Sequence, residues 1–81
     1  MILSLSNLPH DVSLHDICEL FPNDERIEHI HFSDDGNPDN VLAWIKFQEI
    51  GRVELNRMVD RFNGHFLQDR RLEAYAPLFF S

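Results

Sequence analysis

The sequence has little cysteine, few basic side chains and no long apolar run. Its single cysteine, Cys18, excludes a disulfide within the chain. No N-terminal segment combines basic residues with a long apolar stretch and a cleavage site. No apolar run approaches the ~20 residues that a membrane helix needs. We therefore expect an intracellular protein, nuclear or cytoplasmic, that does not enter a membrane.

Basic side chains are also half as numerous as acidic ones. Seven Lys and Arg stand against 14 Asp and Glu, which gives a formal net charge of −7. Such a field does not attract phosphates over long range and suits a basic partner better. Because 43% of the 81 residues are hydrophobic and no low-complexity tract is present, the composition is typical of one folded domain with one core.

Hydrophobic periodicity predicts the first strand and the first helix. Residues 2–8 alternate apolar and small polar side chains, as a half-buried strand does, and the pattern breaks at Pro9. Ser13, with Asp16 three positions later, predicts a capped helix that ends near Pro22. The apolar stripe of this helix is Leu14, Ile17, Leu20 and Phe21.

The remaining elements are predicted in the same way. Strands at 27–32 and 41–47 are joined by the turn-forming residues 34–38, and the second strand has Ile30 and Phe32 on one face with His29 and His31 on the other. A helix from about residue 48 to 62 ends at Asn63-Gly64. Its stripe is Leu55, Met58, Val59 and Phe62. A last strand within 65–76 has Leu72 and Ala74 inward and Arg71, Glu73 and Tyr75 outward.

The resulting order, βαββαβ, predicts a ferredoxin-like α+β sandwich. In this arrangement two helices cover one face of a four-stranded antiparallel sheet and leave the other face open. We assign residues 1–77 to the domain and residues 78–81 to a short apolar tail. Because the tail is apolar, we expect it to dock on the sheet near Trp44 or along a sheet edge.

Three segments resemble motifs of the RRM (RNA recognition motif) family. Residues 3–9 resemble its first-strand ribonucleoprotein motif, including the Asn-Leu-Pro ending, and residues 40–47 resemble its third-strand octamer. Phe62-Asn63-Gly64, followed by Leu67 and Leu72, resembles the passage from the second helix to the last strand. The resemblance covers residues 2–76 and implies a non-catalytic, monomeric binding module of a larger RNA-associated protein, with no cofactor.

The resemblance also locates the residues that would hold RNA. RRM domains stack two or three bases of single-stranded RNA on aromatic side chains of the open face. Those positions are Ser4, Leu42 and Trp44 here, and Asn40-Val41 replaces the basic residue and glycine that normally open the octamer. Losing two stacks of ~1–3 kcal/mol each weakens binding by roughly one to four powers of ten, so we expect weak binding.

Other side chains of the predicted open face border Trp44. The two histidines can stack on bases or donate hydrogen bonds when protonated, although their spacing also permits a shared metal that lacks an evident third ligand. A merely solvated sheet surface is the alternative for the polar members of the set. The predicted RNA contacts are Trp44, Leu42, His31, His29, Tyr75, Lys46, Arg71, Ser4 and Asn7.

The alternative function is recognition of a protein. It would use either the acidic side of the first helix, which suits a basic segment, or the open sheet face occupied by an apolar peptide. RRM domains that hold a tryptophan-containing ligand combine such a helix with an Arg-X-Phe motif after the second helix. The corresponding stretch, 64–67, lacks the arginine and has Leu67 in place of the phenylalanine. Asp24 and Glu25 add to the acidity of this side. The predicted protein contacts are Asp11, Asp16, Glu19 and Phe66.

Nothing in the sequence favours catalysis. The carboxylates form no paired constellation, and an open sheet encloses no pocket that would exclude water. Cys18 is predicted to be a core or boundary residue of the first helix, with no basic group placed to stabilise a thiolate. We therefore expect neither an enzyme nor a metal site.

Overall fold

The computed structural model describes residues 1–21, 26–34 and 39–77. The chain runs through β1 (Ile2–Leu8), α1 (Leu14–Leu20), β2 (Ile27–Ser33), β3 (Val41–Phe47), α2 (Arg52–Phe62), β4 (Phe66–Leu67), β5 (Arg70–Arg71) and β6 (Glu73–Tyr75). Four strands form an antiparallel sheet in the order β2-β3-β1-β6, and β4 and β5 form a separate two-stranded ribbon. The predicted βαββαβ fold is confirmed.

The core lies between one face of the sheet and the two helices. Leu5 of β1, Ile45 of β3 and Ile17 of α1 have no exposed surface, and Phe62 of α2 is 2% exposed. These residues belong to one hydrophobic cluster. Because the alternate residues of each strand point away from this cluster, the opposite face of the sheet is left without helices. We call that face the open face.

An aromatic cluster fixes the end of α1 in this core. The ring of Phe21, which caps α1, lies 5.6 Å from that of Phe47 and 4.8 Å from that of Phe62. Edge-on and tilted ring pairs of this kind contribute about 0.5–1.5 kcal/mol beyond the area they bury. Phe21 thus joins the first helix to both the third strand and the second helix.

Two predictions about α1 are wrong. Leu14 is 56% exposed rather than part of the buried stripe, and Cys18 is exposed rather than a core or boundary residue. The helix has only seven residues, and Val12, just before its cap at Ser13, packs against the core at that end. Because Val12 occupies the apolar site at this end of the core, Leu14 in the first turn of the helix lies in solvent.

The second helix starts later than its pattern suggested. Phe47 still belongs to β3, Gln48 N–H donates to the carbonyl of Arg26 at 2.7 Å, and the first helical residue is Arg52. Ile50 is 5% exposed, so its burial comes from the connecting loop and not from helical periodicity. The predicted stripe is confirmed, and Gly64 follows the helix in the left-handed region at φ 88°.

The last strand is shorter than predicted. Gln68 and Asp69 have φ angles of 50° and 66°, the pair of left-handed residues that a tight two-residue hairpin turn requires. This turn pairs β4 with β5, so only residues 73–75 add to the main sheet. Within β6 the predicted orientations are confirmed, because Ala74 is 7% exposed whereas Tyr75 is 57% exposed.

A β-bulge interrupts β1. Leu5 pairs with Ala43 and Leu8 pairs with Val41, so that Ser6 and Asn7 stand opposite the single residue Leu42. Asn7 adopts φ 63°, a left-handed conformation that asparagine tolerates better than most residues. The bulge turns Leu8 towards the core, where it has no exposed surface.

Three sequence-based predictions lie wholly or partly outside the described residues. The turn predicted at 34–38 includes residues 35–38. The docking of the tail concerns residues 78–81, and the acidity contributed by Asp24 and Glu25 concerns the segment 22–25. Within the described ranges, no helix is long and apolar enough to cross a membrane.

Candidate nucleic-acid interface

The strand register brings four predicted site residues into one row across the open face. His31 lies opposite Trp44, Trp44 lies opposite Ser4, and Ser4 lies opposite Tyr75. Since neighbouring strands are about 4.8 Å apart, the row is about 14 Å long from end to end. We call these four residues the central row. It places one histidine and two aromatic side chains on the same surface.

Exposure differs sharply along the central row. His31 is exposed and Tyr75 is 57% exposed, whereas Trp44 is partly buried. Ser4, between the tryptophan and the tyrosine, is only 2% exposed. His31 and Tyr75 are therefore the more exposed members of the central row, Trp44 is accessible in part, and the serine hydroxyl offers almost no surface.

A second row of paired residues lies beside the central row and contains Lys46, the basic residue of this part of the open face. Here His29 and Ile2 lie opposite Lys46 on either side. The ammonium of Lys46 lies 3.6 Å from Oε1 of Glu28, and both side chains are about half exposed, at 52% and 46%. An exposed pair of this kind is worth less than about 1 kcal/mol, so a phosphate can compete for the lysine.

Leu42 marks the opposite end of the open face. It is partly buried and pairs with Ser33 on one side, while the bulge of β1 lies on its other side. Its side chain therefore extends the apolar surface that begins at Trp44, two residues further along the same strand. Leu42 and Trp44 thus lie on the same face of β3, and the role of Leu42 in binding stays a prediction.

Asn7 is engaged in holding the fold together. Its Nδ2 donates to the carbonyl of Arg71 at 2.9 Å, its Oδ1 accepts from Arg70 at 3.3 Å, and its backbone N–H donates to Oδ1 of Asn40 at 2.9 Å. Arg70 also donates to the carbonyl of Asp39 at 2.8 Å. The side chain predicted to contact RNA thus connects the end of β1 to the ribbon.

Arg71 lies outside the four-stranded sheet, and the prediction that it shares a sheet face with Lys46 is wrong. It belongs to β5, opposite Phe66 in the ribbon, and its guanidinium lies so close to Gly64 that a Cβ on that glycine would be 3.5 Å from Nε. It also lines a groove of about 720 Å³ at the edge of β6, together with Ser6 and Tyr75. Arg71 is thus near the tyrosine and not near the lysine.

Arg70 is the structural residue that the sequence pattern missed. Two consecutive residues of a strand point to opposite sides, so one of Arg70 and Arg71 had to point away from any shared ligand surface. Arg70 makes the internal hydrogen bonds, and Arg71 is exposed. The sequence could therefore have predicted that one of the two arginines is structural, but strand alternation alone does not identify which one.

The residues of the predicted protein surface have mixed roles. Asp16 accepts a 2.9 Å hydrogen bond from the backbone of Ser13, whose hydroxyl accepts one from Asp16 N–H at 3.2 Å. Glu19 lies 2.9 Å from His15 one turn earlier. Asp11 is exposed, and Phe66 in the ribbon is 65% exposed. Within the described part of the chain, Asp16 and Glu19 are thus engaged by other side chains or the backbone, whereas Asp11 and Phe66 are exposed and make no side-chain hydrogen bond or ion pair.

The described residues contain no group of three histidine, cysteine or acidic side chains that could hold a metal ion. His29 and His31 share the open face, in the second row and in the central row respectively. Their neighbours opposite are Lys46 and Trp44, neither of which supplies a common metal ligand.

Solved structures similar to this chain are RRM domains. The third RRM of Pes4 has a TM-score of 0.79 at 16% identity, covering 99% of this chain and 94% of that one. The third RRM of Mip6 has a TM-score of 0.73 at 13% identity, covering 91% and 88%. The Rna15 RRM with bound RNA (GU) has a TM-score of 0.70 at 21% identity, covering 96% and 83%.

The sequence matches no protein-family model and no curated protein. The likeness therefore rests on three-dimensional structure, which agrees in the order of the elements and over nearly the full length of both chains. On this basis the chain has an RRM-like fold.

Proposed function

We propose that this domain binds single-stranded RNA weakly through its open face. The observation that carries the proposal is the central row, in which Trp44 and Tyr75 lie on one surface on either side of Ser4. RRM modules use aromatic side chains at such positions to stack bases. Of the neighbours in structure, the Rna15 RRM is described with bound RNA, which supports the view that this fold can hold it.

The proposed contacts follow the geometry of the rows. Trp44 and Tyr75 are separated by one strand, about 10 Å, so each ring takes one base. His31 borders the tryptophan, while Leu42 supports the edge of its base. Lys46 and His29 in the second row meet the backbone or a further base, and Arg71 meets a phosphate beyond the tyrosine.

Three features make the proposed binding weak. Ser4 stands where a third aromatic side chain would stack, and one stack is worth ~1–3 kcal/mol. Lys46 is already paired with Glu28. The net charge of −7 opposes the approach of a polyanion.

The first test is an amide NMR titration with a degenerate pool of short single-stranded RNA at low salt. We expect shifts at β1, β3 and the indole of Trp44. Trp44→Ala should remove most of the binding, a loss of about 5- to 150-fold for one stack. Val53→Ala is the matched control, because Val53 is a 67% exposed apolar residue on α2 and should leave binding unchanged.

Two results would contradict the proposal. The first is equal weakening by Trp44→Ala and Val53→Ala, and the second is the absence of any shift at near-millimolar RNA. The second result would favour the other candidate function, recognition of a peptide or protein. The observation behind that candidate is the exposure of Phe66 in the ribbon together with the carboxylate of Asp11.

A further inference from the structure

A groove on the helical side of the domain is separate from the open face. It has a volume of about 270 Å³ and lies between α2, the end of α1 and the start of β2. Apolar side chains line its floor, and charged ones line its rim. The floor is Phe21, Met58 and Phe62, and the rim is Arg26, Glu54, Arg57 and Arg61.

The charge of the rim is opposite to that of the whole chain. Arg26 and Glu54 lie 2.6 Å apart and neutralise each other. Arg61 lies over the ring of Phe62 at 5.2 Å, a cation–π contact that leaves its charge in place. Among the described residues that line the groove, Arg57 and Arg61 therefore leave two positive charges in a protein of net charge −7.

We propose that this groove docks an acidic peptide segment of a partner protein, anchored by one apolar side chain. The anchor packs mainly on the partly buried Met58, since Phe21 and Phe62 are only 7% and 2% exposed, and flanking carboxylates pair with Arg57 and Arg61. Arginine is well suited to this role because its planar fork can bind a carboxylate through two hydrogen bonds. The partner is thus opposite in charge to the basic one that the composition favours.

The size of the groove and the range of its charges favour a short peptide motif. Pockets that enclose small molecules have volumes of about 300–1,000 Å³, and this groove is smaller. At physiological salt, charges act over only about 8 Å. The electrostatic energy of a short segment with two carboxylates therefore comes mainly from the nearby arginines of the rim and not from the net charge of the protein. A longer polyanion such as RNA would extend past the rim over a protein whose net charge is −7.

Fluorescence anisotropy with a pool of short labelled peptides tests the proposal. Each probe has a central Phe or Leu flanked by Asp and Glu, and a second pool has Lys at the flanking positions. We expect binding of the acidic pool alone. Arg57→Glu together with Arg61→Gln should weaken it at least about tenfold, since the charge-assisted hydrogen bonds to both flanking carboxylates are lost.

Arg52→Glu is the matched control, because this exposed arginine lies on the same helix but does not line the groove. It should change the affinity less than about twofold, since a distant exposed charge acts only weakly. Trp44→Ala should leave peptide binding intact, which separates this site from the proposed RNA surface. Thermal unfolding of each variant verifies that it is folded.

Several results would overturn the proposal. They are no binding at near-millimolar peptide, equal binding of the lysine pool, or equal weakening by Arg52→Glu. Displacement of the peptide by RNA that still binds after Trp44→Ala would assign the groove to phosphates. A dimer that dissociates in Arg57→Glu, seen by sedimentation, would make a second copy of this chain the occupant.

Discussion

Ser4 separates two aromatic rings on the open face. The register places Trp44 on one side of it and Tyr75 on the other, and the serine itself is 2% exposed. A hydroxymethyl group has no π-face, so a base above β1 finds no ring of its own. The central strand is therefore the weakest point of the proposed RNA surface.

An aromatic side chain at this position should strengthen RNA binding. Ser4→Phe adds a stacking surface of ~1–3 kcal/mol, and we expect the dissociation constant for a short single-stranded RNA to fall about 5- to 150-fold. Fluorescence anisotropy with labelled RNA measures the change. Ser4→Ala, which adds no ring, is the control and should bind like the parent. A folded Ser4→Phe variant with unchanged affinity would contradict the stacking geometry.

Individual site residues were predictable from the sequence to different degrees. Period-two alternation was sufficient to place Trp44 and His31 on the face opposite Ile45, because every second strand residue shares a face. The hydrogen bonds of Asn7 were not predictable in this way. They depend on a left-handed residue in a bulge and on partners 33 and 64 positions away, and local pattern does not encode such contacts.

At the scale of elements, α1 depends on its N-terminal cap. Seven residues make barely two turns, too few for a helix to be stable alone. The reciprocal hydrogen bonds between Ser13 and Asp16 satisfy backbone N–H groups that the helix leaves without partners. The carboxylate of Asp16 is therefore a structural group, and its removal would alter more than surface charge.

Loss of the cap should destabilise the domain. Ser13→Ala and Asp16→Ala should each lower the free energy of unfolding by about 1 kcal/mol, and the double variant should lose less than their sum because the two hydrogen bonds support each other. Urea unfolding measures this as a lower midpoint at constant m-value. Asp11→Ala, an exposed control, should change stability by less than about 0.5 kcal/mol. Full additivity would contradict a reciprocal cap.

Element boundaries were harder to predict than element types. The hydrophobic stripe of α2 was correctly predicted, but its start was not, because Ile50 is apolar and buried without being helical. The ribbon was missed since Gln68-Asp69 lacks the Asn-Gly signature of a tight hairpin turn. That turn also removed Arg71 from the sheet, so one local conformation changed the composition of the candidate site.

For the whole molecule, the distribution of basic residues decides which surfaces can meet anions. Three of the seven basic residues lie on α2, and two are in the ribbon, where Arg70 is engaged by Asn7. Lys46 is the basic residue in the described strands of the main sheet. RNA on the open face therefore meets one or two cations.

This distribution predicts a shallow dependence of RNA binding on salt. With one or two phosphate contacts, a plot of log K against log salt concentration should have a slope of about −0.7 to −1.4. Anisotropy titrations between about 50 and 200 mM salt measure it. Lys46→Met should bring the slope closer to zero, whereas Arg52→Met should leave it unchanged. A slope of about −2 that Lys46→Met leaves unchanged would place the RNA on the three arginines of α2 instead.

The bulge in β1 has a consequence for how this surface can vary. Leu3 and Leu5 occupy odd positions and Leu8 an even one, yet all three are fully buried, because the extra residue shifts the phase of the strand between them. Substitutions at Ser4 or Ser6 leave this phase intact and alter only the open face. Deleting Ser6 or Asn7 would remove the extra residue and give a regular strand in which all three leucines still point inward, with the pairs Leu5–Ala43 and Leu8–Val41 retained. The extra residue therefore allows the left-handed conformation of Asn7 and its hydrogen bonds to the ribbon, and it is not needed to bury the leucines.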